Sequence, residues 1–339
     1  MSAFSSKSKY YYTRLDIANQ FVYRSILDAW EKREREVTIA VNQPADTVDY
    51  NSVAEYLELD NPGLFYVDFS KISFIFHTSK IEVRAKYIFT DEQINDIENR
   101  LVKTAAGMLA SGAFTGAAKA DSFAKELALH DTLVNYISYD HGEARERSTT
   151  IVGGLLARKA VCEGYAKTFK LLCDQIGLSC ITVSGTATSN VGKIENHAWN
   201  IVKIEGVCSH VDATWDSTMA AGGEICRDNF NITDADISAD HTWDRKLYPP
   251  CASARYNYFT RTGNFARNYD ELNKYVGARI AAGDRAFSIK LLNSKAGKDQ
   301  VTQKLDNIIT QVIASGAVNL RSYSIGYNQA RKVASITLS

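Results

Sequence analysis

The chain has 339 residues, in which 39 lysines and arginines balance 39 aspartates and glutamates. This neutral balance lacks the positive excess that binds nucleic acid or an anionic membrane, so we expect no nucleic-acid partner. No apolar run approaches the roughly 20 residues of a membrane-spanning helix, so we expect no membrane insertion. The first residues lack the apolar core of a signal peptide, which predicts either a cytoplasmic protein or a mature secreted or cell-surface form.

The length exceeds that of one usual domain, so the sequence predicts two or three domains with room for a substantial core. The six cysteines show no paired C-x-x-C spacing and are few for so long a chain. We therefore expect neither a zinc site nor a disulfide framework, and no cofactor. The composition indicates no particular oligomeric state.

The N-terminal part is predicted to be a small α+β module of residues 1–110. Hydrophobic periodicity predicts a helix, a strand, a short helix and two further strands, at 12–35, 37–41, 53–57, 72–76 and 81–89.

A second predicted segment joins this module to the centre of the chain. Thr90 and Gln93 have the spacing of a capping box, and a helix follows them. The Ala/Gly-rich run at 105–120 is the best candidate for a domain boundary. In the next helix His130 lies near the apolar face, where a structural histidine is the favoured reading.

The central segment contains a cysteine at the start of a predicted helix. Helical spacing of apolar residues follows Cys162, and Gly177 supplies a C-terminal stop. Unpaired N–H groups and the positive end of the helix dipole favour a thiolate in the first turn. Cys162 is therefore a candidate nucleophile.

A predicted hairpin places a histidine and an aspartate together. Residues 201–204 read as a strand, Glu205 and Gly206 as a two-residue turn, and residues 207–214 as the returning strand. In this register His197 and Asp212 are diagonal neighbours on one face, within reach of each other. Asp216 is the rival partner for His197. His210 and His241 are spare imidazoles, and His210 is predicted to lie at the surface.

Aromatic residues around these positions are candidate substrate-binding residues: Trp199, Trp215, Trp243 and Tyr139. Trp199 is more typical of core packing, although beside His197 it could shield the imidazole. Residues 228–258 read as irregular, either as a loop packed over the core or as a wall of a substrate groove, and both readings stay open. Tyr139 and Thr150 are guesses for a donor completing an oxyanion hole.

The C-terminal part, residues 263–339, reads as helix, strand, helix and two strands, like the N-terminal part. We therefore expect a diverged internal repeat that flanks a catalytic domain of residues 111–262. Such modules are expected to bind substrate or dock partners.

Three motifs give the chain a family resemblance: Val161-Cys162-Glu163-Gly164-Tyr165-Ala166, His197-Ala198-Trp199-Asn200 and Val211-Asp212-Ala213-Thr214-Trp215-Asp216. In this order they resemble the transglutaminase-like superfamily of papain-fold thiol enzymes, with the bacterial members most similar. The resemblance covers roughly residues 119–250 and implies an α+β fold: a papain-like core, with the nucleophile helix packed on an antiparallel sheet, flanked by small α+β modules. It also implies Cys162 as nucleophile, His197 as base and Asp212 as the group that orients His197.

These residues predict an acyl-transfer enzyme acting on peptide or carboxamide bonds of a protein or peptide substrate through a thioester. A cysteine peptidase or amidase is favoured, because the large β-sandwich array of the animal cross-linking enzymes and a calcium-loop motif are both missing from the sequence. The alternatives are a protein-glutamine transglutaminase and a non-catalytic peptide-binding protein.

Overall fold

A computed structural model describes residues 4, 9–41, 48–111, 114, 116, 121–142, 147–189, 191–219, 224–292, 294–315 and 321–339. The chain separates into two compact units, Met1–Ser184 with Ala198–Ile201, and Gly185–His197 with Val202–Ser339. The predicted domains 1–110, 111–262 and 263–339 follow other boundaries and stay a prediction. The Ala/Gly-rich run at 105–120 lies partly outside the described residues.

The first unit holds the N-terminal module and the helix that begins at Cys162. Its helices are α1 (Ile17–Glu31), α2 (Tyr50–Asp60), α3 (Asp91–Leu109), α4 (Ser122–Tyr136) and α5 (Cys162–Ile176). Its strands are β1 (Glu36–Ala40), β2 (Val67–Phe76), β3 (Lys80–Tyr87), β4 (Ser138–Tyr139) and β5 (Lys159–Ala160). The predicted helix at 12–35 is a short 3-10 turn followed by α1, because the side chain of Asp16 caps α1 at Asn19. The predicted capping box of α3 is present.

A four-stranded sheet has the order β8-β7-β6-β9. Its strands are β6 (Ser179–Thr188), β7 (Ile194–Ile204), β8 (Val207–Val211) and β9 (His241–Thr242), and both units contain residues of β6 and β7. Glu205 and Gly206 have φ angles of 47° and 85°, as the predicted two-residue turn requires. The returning strand was predicted to continue to Thr214 but ends at Val211, since a helix begins at Ala213.

The second unit ends in the C-terminal module. Its helices are α6 (Ala213–Met219), α7 (Asp234–Ile237), α8 (Tyr258–Thr262), α9 (Tyr269–Ala281) and α10 (Lys298–Ala314). Its remaining strands are β10 (Phe265–Ala266), β11 (Ala286–Leu291), β12 (Tyr323–Asn328) and β13 (Val333–Leu338). Helices α9 and α10 bury Val276 and Leu305 in one apolar core with Ile289 and Ile336 of the sheet. Within the described residues, no helix combines the length and apolar character that crossing a bilayer requires.

The predicted internal repeat is present in the topology of the two modules. Strands β1, β3 and β2 pair antiparallel in this order, and β11, β13 and β12 pair in the same way. Two residues after the end of α1, Arg33 has φ 67°, and two residues after the end of α9, Gly283 has φ 82°. The carbonyl of Arg35 accepts from the Ala85 N–H, as the carbonyl of Arg285 accepts from the Leu338 N–H. The two modules therefore match residue by residue at the first strand.

Candidate active site

Cys162 is the first residue of α5, as the sequence predicts. Its side chain is half-buried, and Val161 caps the helix without a side-chain hydrogen bond. The first N–H groups of a helix have no intrahelical acceptor, and the helix dipole adds positive potential there. This position suits an anionic sulfur and an oxyanion that forms beside it.

Gly164 lets a second segment approach the start of α5. The N–H of Val161 donates to the carbonyl of Ser148 at 3.0 Å. A Cβ atom at Gly164 would lie 2.1 Å from that same carbonyl oxygen. The glycine in the cysteine motif is therefore needed for close backbone contact, and this contact fixes the turn that presents Cys162.

A charged cluster lies one turn into α5. The Nζ atom of Lys167 lies 2.6 Å from the carboxylate of Glu163 and 2.8 Å from that of Glu58. Burial alone would lower the pKa of Lys167, but the two carboxylates outweigh burial and raise it. Glu58, Glu163 and Lys167 line a cavity of about 520 Å³ with residues of β2 and with Thr149 and Thr150. This space beside the first turn of α5 is large enough for a peptide side chain or a small peptide.

Asn200, in the histidine motif, ties β7 to α5. Its side-chain Nδ2 donates to the carbonyl of Ala166 at 3.0 Å and lies 3.4 Å from the carbonyl of Ile181. Ala166 stands one helical turn after Cys162, and His197 stands three residues before Asn200 on the same strand. Because Asn200 is buried, these bonds satisfy an amide that would otherwise be costly to bury.

The second unit brings His197 and Asp212 together. Nε2 of His197 lies 2.8 Å from Oδ2 of Asp212, whose side chain is fully buried. Burial alone would raise the pKa of Asp212, but the charges and hydrogen bonds of His197 and His241 outweigh burial and hold the pKa well below its usual range. An ionised carboxylate only accepts, so Nε2 of His197 carries the proton and donates.

Asp212 also explains why the returning strand stops early. Its Oδ1 accepts from the N–H groups of Thr214 and Trp215, at 3.0 Å and 3.1 Å. These are the bonds of a helix N-cap, so Asp212 begins α6 with one oxygen and faces His197 with the other. The rival partner, Asp216, accepts instead from the backbone and side chain of Asn229.

His241 is the residue that the sequence reasoning missed. Its Nε2 lies 3.2 Å from Oδ2 of Asp212, the oxygen that also faces His197. Its Nδ1 lies 2.6 Å from Oδ1 of Asp240. The only sequence signal was a histidine in an irregular segment, and no local pattern indicates that β9 joins the sheet beside β6.

The four aromatic candidates lie in different surroundings. Trp199 is 1% exposed, which agrees with the core packing that its sequence context favours, and its substrate-binding role stays a prediction. The half-buried ring of Trp215 contacts the rings of His241 and His197, with centroids at 4.5 Å and 5.9 Å. Trp243 packs on His210 at 4.9 Å. Tyr139 is half-buried beside the strand that leads into α5 and contacts His141.

Thr150 is also accounted for without an oxyanion. Its hydroxyl donates to the carbonyl of Arg147 at 2.8 Å. His130 is fully buried, with Nδ1 3.2 Å from the carboxylate of Asp131, as its predicted structural role requires.

A second set of thiol, imidazole and carboxylate lies in the same unit. His210 is fully buried, contrary to its predicted surface position, and its Nε2 lies 2.8 Å from Oδ1 of Asp234. Burial and the charge of Asp234 raise the pKa of the nearby Cys251 thiol, which therefore stays protonated and unreactive. Among the residues that the structure describes, two groups have atoms close enough to hold a metal ion: His210 with Asp234 and Cys251, and His197 with Asp212 and His241. In both groups the carboxylate already accepts hydrogen bonds from its neighbours.

Comparisons with known proteins place these residues in a family. The family model described as the Transglutaminase-like superfamily matches residues 110–215, a span that includes Cys162, His197 and Asp212. The kyphoscoliosis peptidases of Mus musculus and Homo sapiens are each 34% identical over 98 residues, which covers 26% of this chain and 15% of each relative. A solved structure of a TGase is similar over 45% of each chain, with 14% identity and a TM-score of 0.31. The family-model match assigns residues 110–215 to the transglutaminase-like superfamily, which includes cysteine peptidases and transglutaminases.

Proposed function

We propose that the protein is a cysteine peptidase or amidase in which Cys162, His197 and Asp212 act together. The observation that carries the proposal is the buried pair of His197 and Asp212, in which an ionised carboxylate holds the proton on Nε2. Two further findings support it: Cys162 begins a helix, and one family match spans all three residues. The two curated relatives are named peptidases, which favours hydrolysis.

The proposed reaction has two stages. The Cys162 thiol gives its proton to Nδ1 of His197, and the sulfur attacks the carbonyl carbon of a peptide or carboxamide. N–H groups at the start of α5 stabilise the oxyanion, and removing one such donor typically costs about 2.7–4 kcal/mol of barrier. The C–N bond then breaks, His197 returns the proton to the leaving amine, and a thioester remains. Water activated by His197 cleaves the thioester, which releases the acid and restores the thiol.

Alkylation with iodoacetamide near pH 6 tests the nucleophile. We expect Cys162 to react before the other thiols, because burial raises the pKa of Cys173, Cys208, Cys226 and Cys251. Cys208 is the matched comparison, since it is also half-buried. Equal labelling of Cys162 and Cys208 would contradict the proposal and favour a binding protein.

A peptide library tests the reaction. The wild-type chain should release new amino termini, Cys162→Ala should release none, and Cys208→Ala should match the wild type. A labelled primary amine is added in a parallel arm. Incorporation of the amine into glutamine-bearing protein, without new amino termini, would show that the protein is a transglutaminase and not a peptidase.

A further inference from the structure

The C-terminal module buries an arginine against the segment that follows α6. Arg331, in the loop between β12 and β13, is 1% exposed. Its guanidinium donates to Oδ1 of Asn229 at 2.6 Å, to the carbonyl of Asp236 at 2.9 Å and to Oδ1 of Asp240 at 2.7 Å. Burying a charge costs several kcal/mol unless its donors are well paired, and these three partners provide that pairing.

From Arg331 a continuous set of hydrogen bonds leads to His197. Asp240 accepts from Arg331 and faces Nδ1 of His241, which in turn faces Asp212 through Nε2. Burial alone would raise the pKa of Asp240, but hydrogen bonds from His241 and Arg331 outweigh burial and lower it. Both carboxylates therefore accept, and each ring nitrogen of His241 has an ionised partner. Every group between Arg331 and His197 has a fixed neighbour on both sides.

The ring of Trp215 packs against the residues that these hydrogen bonds connect. It contacts the rings of His241 and His197, and Cζ of Arg331 lies 6.0 Å from its centroid. A shift of the guanidinium would therefore reach the two imidazoles through packing as well as through hydrogen bonds.

The internal repeat shows what is particular to this arginine. Val37 pairs with Val83, and the matching Phe287 pairs with Ile336. On the other side of the middle strand, Val83 pairs with Phe74, and Ile336 pairs with Ile325. The N-terminal hairpin beyond the first of these pairs comprises residues 75–82, and the C-terminal hairpin beyond the second comprises residues 326–335. The C-terminal hairpin thus has one more paired rung, Asn328 with Val333, and Arg331 lies in the turn that follows this rung.

Local geometry holds the turn between β12 and β13 in one shape. Oδ1 of Asn328 accepts from the N–H of Arg331 at 3.2 Å, and Nδ2 of Asn328 donates to Asp228 at 2.8 Å. The next residue, Lys332, has φ 55°, a conformation that residues other than glycine seldom adopt. The loop is fixed at the residues that flank Arg331.

We infer that Arg331 is a positioning residue which, through Asp240 and His241, fixes the carboxylate of Asp212 and hence the ring of His197. The C-terminal module is then part of the catalytic machinery, in addition to any role in binding substrate or partners. The catalytic consequence rests on the proposed function, whereas the coupling between Arg331 and His197 does not.

The test compares four variants of the full chain with the wild type: Arg331→Met, Arg331→Lys, Asp240→Asn and Arg321→Met. Arg331→Met removes the charge and all three hydrogen bonds. Asp240→Asn keeps an acceptor for Arg331 and His241 but removes the charge, and it serves if Arg331→Met fails to fold. Arg321→Met, an exposed arginine just before β12, is the control. Thermal unfolding shows first which variants are folded.

Nuclear magnetic resonance of isotope-labelled histidine reads the coupling without any substrate. The imidazole signals of His197 and His241 should move in Arg331→Met and Asp240→Asn and should stay in place in Arg321→Met. Unchanged His197 signals in a folded Arg331→Met or Asp240→Asn protein would overturn the inference, whether or not the protein is an enzyme.

The rate of Cys162 alkylation as a function of pH, and kcat and KM on a cleaved peptide, read the catalytic consequence. Loss of Arg331 or of the Asp240 charge should lower the alkylation rate near pH 6 and kcat by about 10-fold to 100-fold, with little change in KM. Arg331→Lys should recover part of this loss, because it restores the charge but not all three bonds. Moved His197 signals with wild-type alkylation and kcat would overturn the positioning role. Cys162 of the wild type could prove unreactive while the His197 signals still move in Arg331→Met. That result would overturn the proposed function and leave the coupling between Arg331 and His197 established.

Discussion

Replacing Asp212 with asparagine should abolish most of the proposed activity while changing a single non-hydrogen atom. Oδ1 of Asp212 accepts from two backbone N–H groups that begin α6, and Oδ2 faces Nε2 of both His197 and His241. An asparagine that keeps the helix cap must turn its amide N–H groups toward two ring N–H groups. His197 can restore a hydrogen bond only by moving its proton to Nδ1, the nitrogen that is proposed to take the thiol proton.

The expected loss follows from this change of tautomer. A carboxylate-to-amide change behind a catalytic histidine lowers kcat by up to roughly 10,000-fold in the best-studied triad, which corresponds to about 5.5 kcal/mol of barrier. Because Asp212 faces a second imidazole, which can accept from the amide without harm to Cys162, we expect about 1,000-fold to 10,000-fold, with little change in KM.

Peptide hydrolysis and the alkylation rate of Cys162 measure this loss, and the chain offers a matched control. Asp234 faces Nε2 of His210 at the same 2.8 Å. Asp234→Asn should reduce stability while leaving kcat near the wild-type value. An Asp212→Asn protein within about tenfold of the wild type would refute the reasoning. An equal loss of kcat in Asp234→Asn would indicate that Cys251 and His210 form the active site instead.

Two further predictions concern stability. Gly164→Ala should lower the free energy of unfolding by about 1–3 kcal/mol, since its Cβ would meet the Ser148 carbonyl. Gly107→Ala in α3 has open space around the new Cβ and should raise the free energy of unfolding by about 0.5–1 kcal/mol. Urea unfolding of both variants measures the difference, and equal effects would contradict the packing argument. Burial and the charge of Asp216 raise the pKa of Asp228 to about 7, so the folded state keeps a proton that the unfolded state releases near pH 4. The Asp228 carboxyl therefore favours folding below about pH 4, and this contribution is lost as the pH rises through 7. Asp228→Asn should be more stable than the wild type at about pH 8 and should lose that advantage toward pH 4. Urea unfolding at both pH values measures the difference in stability between the two proteins. A difference that did not change with pH would contradict the prediction.

Features with a local cause were predictable from the sequence. The start of α5 at Cys162 follows from apolar spacing and from Gly177, which ends the helix at φ 77°. The turn at Glu205 and Gly206 follows from the demand for two positive φ angles. The repeated order of helices and strands was visible because each module keeps its own hydrophobic periodicity.

Features that depend on distant residues or on competing local signals were not predicted. Alternation assigns Asp212 to a strand, although aspartate is also a common helix N-cap, and the cap prevails. His210 follows the same alternation but is buried against Asp234, which lies beyond an irregular segment. Nothing in the residues around His241 or Arg331 indicates their partners, since only the folded chain brings Asp240 between them.

Asp212 has both a structural and a proposed chemical role, whereas Cys162 has only the chemical one. A descendant of this protein can therefore lose the thiol of Cys162 more easily than the carboxylate of Asp212. The sulfur of Cys162 ends a half-buried side chain at a helix start, so another small residue could replace it with little harm to the architecture. The carboxylate of Asp212 begins a helix and joins two imidazoles, so its loss damages folding together with chemistry. A lineage that gave up turnover for pure recognition should therefore discard the cysteine first and retain the aspartate long afterwards.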